Sequence, residues 1–283
     1  MVSMAARASA ALLLLLAGPA SCLESPDDFA GATSLLQHSV KVRPAGPRAA
    51  GNGTSASCQC LGWKDAYALH GAQCGLGHEV DVYGRPGAET VKDLSVAFEF
   101  CWMYFNALPN DNYCMNVKWE PAPAQWCYVS QDCPEGQTPE GSGPLKTKTC
   151  VQGHDASLGE MKFEDFAAYI YRNKLELGLS VQFAYPTWQP EKLPDVQAFW
   201  GLPQPSDAQP ISEELRARLQ QQVDSGKPMF FTSRSGHPPY CLMEGKKLYY
   251  INFNPDNPGF AKREDMSLFA CVAGCGAENK PIW

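Results

Sequence analysis

Sulfur and imidazole are the side chains best suited to chemistry in this chain, with 12 cysteines and 5 histidines in 283 residues. A thiol becomes a nucleophile when a neighbouring base or positive charge holds it as the thiolate. Cys241 stands four residues from His237, a spacing along the chain that fixes no geometry. His70, Cys74 and His78 have the spacing of zinc ligands, but Gly71, Gly75 and Gly77 break any helix that would aim them at one point. No metal and no cofactor is therefore expected. Bonded sulfur is the other option. Eight cysteines lie between Cys58 and Cys150, with only Cys241, Cys271 and Cys275 beyond. Disulfides are expected at Cys58, Cys60, Cys74, Cys101, Cys114, Cys127, Cys133, Cys150, Cys271 and Cys275, in a pairing that sequence cannot give.

The compartment decides between these chemistries. Arg7 precedes an apolar run from Ala8 to Ala17, and small residues follow from Gly18 to Cys22. This is the pattern of a signal peptide over residues 1–22, far short of the ~20 apolar residues of a membrane-spanning helix. Loss of Cys22 with it leaves an odd number of cysteines, which implies a free thiol or a bond to another chain. Residues 23–57 are rich in Ala, Gly, Ser, Thr and Pro and read as a flexible linker or pro-segment. Their basic, acid-poor part also fits the second half of a plastid address, against which Asp27 and Asp28 stand. Asn52-Gly53-Thr54 is a glycosylation sequon in a glycine turn. Secretion is the expected destination. A net charge of −7 disfavours nucleic acid and anionic membrane as partners. Nothing in Cys275–Trp283 reads as a lipid-anchor tail or a retention signal.

Elements must hold whatever site exists. Val91, Leu94, Phe98, Cys101, Phe105 and Leu108 recur at helical steps, predicting one long helix over Gly87–Leu108 that Pro109 closes. His78–Tyr83 and Trp126–Ser130 read as short strands. Ser157-Leu158-Gly159-Glu160 is a capping box for a helix carrying Phe163, Phe166, Ile170 and Leu177 up to Gly178. Met161–Ile170 looks like an EF-hand exit helix, but Ala156 and Leu158 stand where carboxylates are required, so calcium is excluded. Leu179–Tyr185 reads as a strand and 186–210, with six prolines, as an irregular crossing. Ser212 caps a helix with Leu215, Leu219 and Val223 that ends at Gly226. Strands follow at Met229–Thr232, Tyr240–Met243 and Leu248–Phe253, the last two joined as a hairpin. The expected fold is α+β. A disulfide-rich domain at 58–152 carries one long helix, and at 153–283 helices pack on a small antiparallel sheet.

Three stretches resemble known families. The leader with Ser34-Leu35-Leu36-Gln37, Cys58-Gln59-Cys60-Leu61-Gly62-Trp63 and Cys74-Gly75-x-Gly77-His78-Glu79 are similar to a cysteine-rich group of secreted proteins in dinoflagellate algae, a resemblance that carries no activity with it. Asn112-Tyr113-Cys114 with Trp126-Cys127-Tyr128 resembles the centre of a kringle, until Cys133 arrives too early for that family's next loop. Glu213–Pro255 resembles the C-terminal half of papain-like, bacteriocin-processing cysteine peptidases. That likeness implies His237 as general base, oriented by Asn254 or Asp256, with Cys58 or Cys60 as nucleophile and Cys241 as a nearby substitute. Pro238-Pro239 interrupts the strand that should carry the histidine.

Trp63, Trp102, Trp119 and Trp126, tethered among disulfides, form either a core or a rigid platform for a sugar or a proline. Trp63, Trp119 and Trp126 are the candidate binding residues. The sequence favours a secreted, non-catalytic binding or structural protein that recognises a glycan or an extracellular protein. The alternative is a thiol-dependent hydrolase using His237 and Asn254.

Overall fold

The computed structural model describes residues 56–84, 87–139, 143–188, 193–202, 210–231, 240–251 and 269–276. The leader, Asn52, His237, Asn254 and Asp256 lie outside them. The chain is mixed α+β, and no helix among the described residues is long and apolar enough to cross a membrane.

A three-stranded antiparallel sheet forms from β1 (Met115–Asn116), β2 (Gln125–Val129) and β3 (Lys146–Thr149), in that order. Side chains alternate across a strand, and on β2 both faces are buried. Trp126 and Tyr128 enter an aromatic core with Trp63 of α1 (Trp63–Ala68), whereas Cys127 and Val129 join Cys58, Cys114 and Cys133 on the other face. One sheet therefore separates an aromatic layer from a sulfur layer.

The second sheet has the order β4 (Thr187–Trp188), β5 (Met229–Phe231), β6 (Tyr240–Glu244), β7 (Lys247–Ile251) and β8 (Phe269–Ala273). Only β4 runs parallel to its neighbour β5; the other pairs are antiparallel. Its alternation is regular. Phe230, Tyr240, Leu242, Tyr249 and Ile251 face α4 (Phe163–Asn173) and α5 (Leu177–Ala184). Met229, Phe231, Cys241, Met243 and Leu248 face α6 (Leu193–Trp200) and α7 (Glu213–Ser225). The first of these clusters is continuous with the aromatic core around Trp63, so buried side chains on both sides of Gly153 share one core.

Several expectations hold. Ser212 caps α7 by accepting from Leu215 N–H, and Gly226 ends it with φ 65°. Glu244 pairs with Lys247 across the expected hairpin. Trp126 and its neighbours are in a strand.

Others are corrected. Leu179–Tyr185 is not a strand: Leu177–Ala184 is a helix with every residue buried, so no polar face marks its period. Glu176 starts it, its carboxylate accepting from the N–H groups of Gly178 and Leu179. The preceding helix stops at Asn173, with Lys174 left-handed at φ 54°, rather than at Gly178. Ser157 caps a separate 3₁₀ turn at Leu158–Glu160. The proline-rich crossing contains β4 and α6. His78–Tyr83 forms turns, its backbone closing on itself as Asp81 N–H donates to His78 O and Tyr83 N–H to Val80 O. The one long helix is segmented into α2 (Gly87–Thr90), α3 (Leu94–Val96), a π-turn at Ala97–Trp102 and a 3₁₀ turn at Phe105–Ala107. Asp93 restarts the chain there, its side chain accepting from Ser95 N–H.

Candidate functional site

Segmentation rotates the aromatic side chains of residues 94–105. Val96, Phe100, Cys101, Tyr104 and Phe105 turn inward, and Leu94, Phe98 and Trp102 turn out. Trp102 is 65% exposed and Phe98 47%, with ring centroids 4.5 Å apart. Leu94, one turn earlier, is 83% exposed. Three large apolar side chains at four-residue steps thus form a bare stripe. Its rear is fixed. Phe100 stacks on Trp119 and meets Phe183 edge-on, and Cys101 is bonded to Cys74. Lys92, Asp93, Ser95 and Glu99 give the stripe a polar, exposed margin.

A buried carboxylate braces the loop that holds Cys74. Glu79 accepts from Tyr67 Oη (2.9 Å) and Tyr128 Oη (2.6 Å) through Oε1, and from Gly75 N–H (3.1 Å) and Gly77 N–H (2.9 Å) through Oε2. Gly75 has φ 90°, and a Cβ there would strike Val91, so only glycine fits. Burial raises the Glu79 pKa; the phenol and amide donors oppose the rise. The same burial, with the carboxylate's field, pushes Tyr67 and Tyr128 up. A second buried carboxyl, Glu176, is raised to about 7 by desolvation, against the N–H donors of Leu179 and Gly178.

Sulfur forms the third feature. Cys58–Cys133, Cys60–Cys127, Cys74–Cys101, Cys114–Cys150 and Cys271–Cys275 are disulfides, and Cys241 is also bonded. No cysteine among the described residues is free. The Sγ atoms of Cys60, Cys114, Cys127 and Cys150 all lie within 4.8 Å of one another. Lys148, opposite Cys127 in the β2–β3 register, pairs with Asp155 at 2.8 Å, and Asp155 Oδ1 is 3.8 Å from Cys60 Sγ.

The expected site residues fare unequally. Trp63 and Trp126 are 2% and 1% exposed and pack at 5.1 Å, so they are core and not a platform. Trp63 Nε1 is satisfied by Tyr113 O at 2.8 Å. Trp119 is partly buried against the same core. Cys58, Cys60 and Cys241, the candidate nucleophiles, carry disulfides and offer no thiol as they stand. Cys74 is bonded to Cys101, which removes it from any set with His70 and His78.

His78 lines a small polar cleft with Glu135, Gln137, Thr147 and Lys148. Its Nδ1 is 2.7 Å from Asp81 Oδ2 and its Nε2 3.2 Å from Thr147 Oγ1. Hydroxyl, imidazole and carboxylate follow in the order of a hydrolytic triad. Thr147 is only 1% exposed, so its hydroxyl is shut away from an incoming carbonyl carbon, and the row serves to tie the loop to β3. Sequence reasoning passed over Glu79 and placed Phe98 on the inward stripe; Trp102 it named among the platform tryptophans but not among the candidate binding residues. The available signals were an acid set two residues after a glycine pair, and the Asp93-x-Ser95 cap inside the supposed helix. Compared with known proteins, this chain matches no family model, no curated protein and no solved structure.

Proposed function

We propose that this protein is a secreted, non-catalytic binding protein that recognises a neutral glycan through Leu94, Phe98 and Trp102. The observation that carries the reading is the exposed Phe98–Trp102 ring pair, at 47% and 65% exposure respectively, on a segment fixed from behind. A large exposed aromatic is costly in water unless something covers it, and a bare stripe of this kind marks a contact surface. The apolar face of a pyranose is flat and matches an indole ring, while the polar margin can meet its hydroxyls. The chain's charge of −7 favours an uncharged sugar over an acidic one. The disulfides support an oxidising destination.

The test is a glycan array probed with the labelled full-length protein, followed by titration of the retained sugar against variants. Trp102→Ala is expected to weaken binding about tenfold or more, or ~1.4 kcal/mol, with near-UV circular dichroism unchanged. Equal affinity in Trp102→Ala and Phe98→Ala, or retention of no neutral sugar, overturns the reading.

A further inference from the structure

The geometry points to a latent metal site: when reduced, Cys60, Cys114, Cys127 and Cys150 form one tetrathiolate pocket for a single zinc-like divalent ion. A zinc–thiolate bond is ~2.3 Å, so the edges of a tetrahedral S₄ set are about 3.8 Å. The contact between the two disulfides, Cys60 Sγ to Cys114 Sγ, is already 3.8 Å, and all four sulfurs fall within 4.8 Å. Opening two bonds and drawing the sulfurs around one ion needs little side-chain movement and no change of fold.

Main-chain bonds, and not the sulfur bridges alone, hold the four positions together. Cys127 is inside β2, opposite Lys148 of β3 and next to Trp126, which pairs with Met115 of β1. Cys150 N–H donates to Gln125 O and Cys114 N–H to Ala156 O, each at 2.8 Å. Leu61 N–H, next to Cys60, donates to Tyr128 O at 2.8 Å. These bonds keep the four thiols neighbours for as long as β1, β2 and β3 stay paired. Cys60 and Cys150 are half-buried and give a reductant access, while Cys114 and Cys127 are buried and favour a dry, closed ligand set. Four thiolates and one dication leave two negative charges. The buried Lys148 ammonium opposes that charge, and the Asp155 carboxylate adds to it. Among the described residues this is the one cluster of three or more ligand side chains that converges so tightly, and Cys58–Cys133, Cys74–Cys101 and Cys271–Cys275 are not part of it.

The chemistry balances with a phosphine as reductant. Each disulfide receives two electrons from one phosphine and two protons, one water supplying the oxygen of the phosphine oxide. Zinc then displaces the four thiol protons. The experiment reduces the full-length folded protein with a water-soluble phosphine, with or without one equivalent of Zn²⁺, then alkylates it and maps the labelled cysteines. Native mass spectrometry counts the metal. The expected result is one zinc per chain, with labelling of Cys60, Cys114, Cys127 and Cys150 slowed at least tenfold while Cys58, Cys74, Cys101 and Cys133 label at the same rate either way. The double variant Cys74→Ser/Cys101→Ser retains the zinc, and Cys114→Ser/Cys150→Ser loses it. The labelling map of the unaltered protein stands even if that last variant does not fold. No retained zinc, or protection spread evenly over all cysteines, overturns the proposal.

Discussion

Strands β2 and β6 both bury their two faces, yet the material on their far faces differs. Behind β2, opposite the aromatic core, sit Cys58, Cys114, Cys127 and Cys133 with Val129. Behind β6, opposite the same core, sit Cys241 and Met243 with Phe231, Leu219 and Val223. The five-stranded sheet has α6 and α7 to cover its outer face, and dispersion plus apolar burial hold that layer. Among the described residues, the sulfur face of the three-stranded sheet carries no side chain from an α-helix, only those of β2, of the 3₁₀ turn at Ala56–Cys58 and of the loops that hold Cys60, Cys114, Cys133 and Cys150. Turns bring little apolar surface, so cross-links replace the missing layer by restricting the unfolded chain. A polypeptide can close the second face of a sheet with a packed helix or with covalent sulfur, and this chain does one in each region.

The sharpest test of that difference compares how each layer fails. Replacing Cys58 and Cys133 by alanine opens a link across 75 residues and is expected to cost roughly 4 kcal/mol. The urea m-value should rise, since the unfolded state expands. Phe231→Ala, on the helix-covered face, should cost roughly 3–5 kcal/mol with the m-value unchanged. Equal m-values for the two variants would break the comparison. Next comes the Glu79 brace. Glu79→Ala leaves two phenols and two buried N–H groups without their acceptor and should lose about 3 kcal/mol. Glu79→Gln retains an acceptor and should lose less, as denaturant midpoints will show.

On the other side of the shared core, Glu176 predicts a pH dependence. Its folded pKa of about 7 lies above the unfolded value near 4.5, so the folded state holds the extra proton between those limits. The carboxyl's contribution to stability is therefore complete below about pH 4.5 and is lost as pH rises through 7. The loss is at most ~3 kcal/mol. Glu176→Gln should gain on the wild type between pH 5 and pH 8, and a constant difference across that range would refute the assignment. The smallest expected effect is on the exposed stripe. Trp102→Ala should leave stability within ~0.5 kcal/mol, because the indole is not part of the core.

Local rules were legible in the sequence where a boundary residue and a period agreed. Ser212 and Gly226 bracket α7, and Gly245-Lys246 turns the hairpin between two short, mostly apolar strands. They were illegible where burial was complete. In Leu-Gly-Leu-Ser-Val-Gln-Phe-Ala all eight residues are inside, so neither period shows, and the helix depends on the Glu176 cap. The strand β8, rich in alanine and cysteine, has too little β-branched or aromatic character to announce itself. The candidate surface was misplaced for a related reason. Tryptophan content cannot say which rings point inward. That is decided by the restart at Asp93 and the π-turn after it, which put Phe100 in and Trp102 out. The density of cysteines was plain, but which of them converge on one point is set by strand pairing, which only the fold supplies.

The nesting of the bridges has a consequence for how the chain matures. Cys101 follows Cys74 by 27 residues, whereas Cys60 waits 67 residues for Cys127 and Cys58 waits 75 for Cys133. During synthesis from the N-terminus, Cys58, Cys60 and Cys74 therefore emerge as mutual neighbours before any native partner exists. A wrong bond among those three is the natural early trap. Escape from it requires a thiol–disulfide exchange step, so the rate of reshuffling, and not of collapse, governs how fast the native protein accumulates.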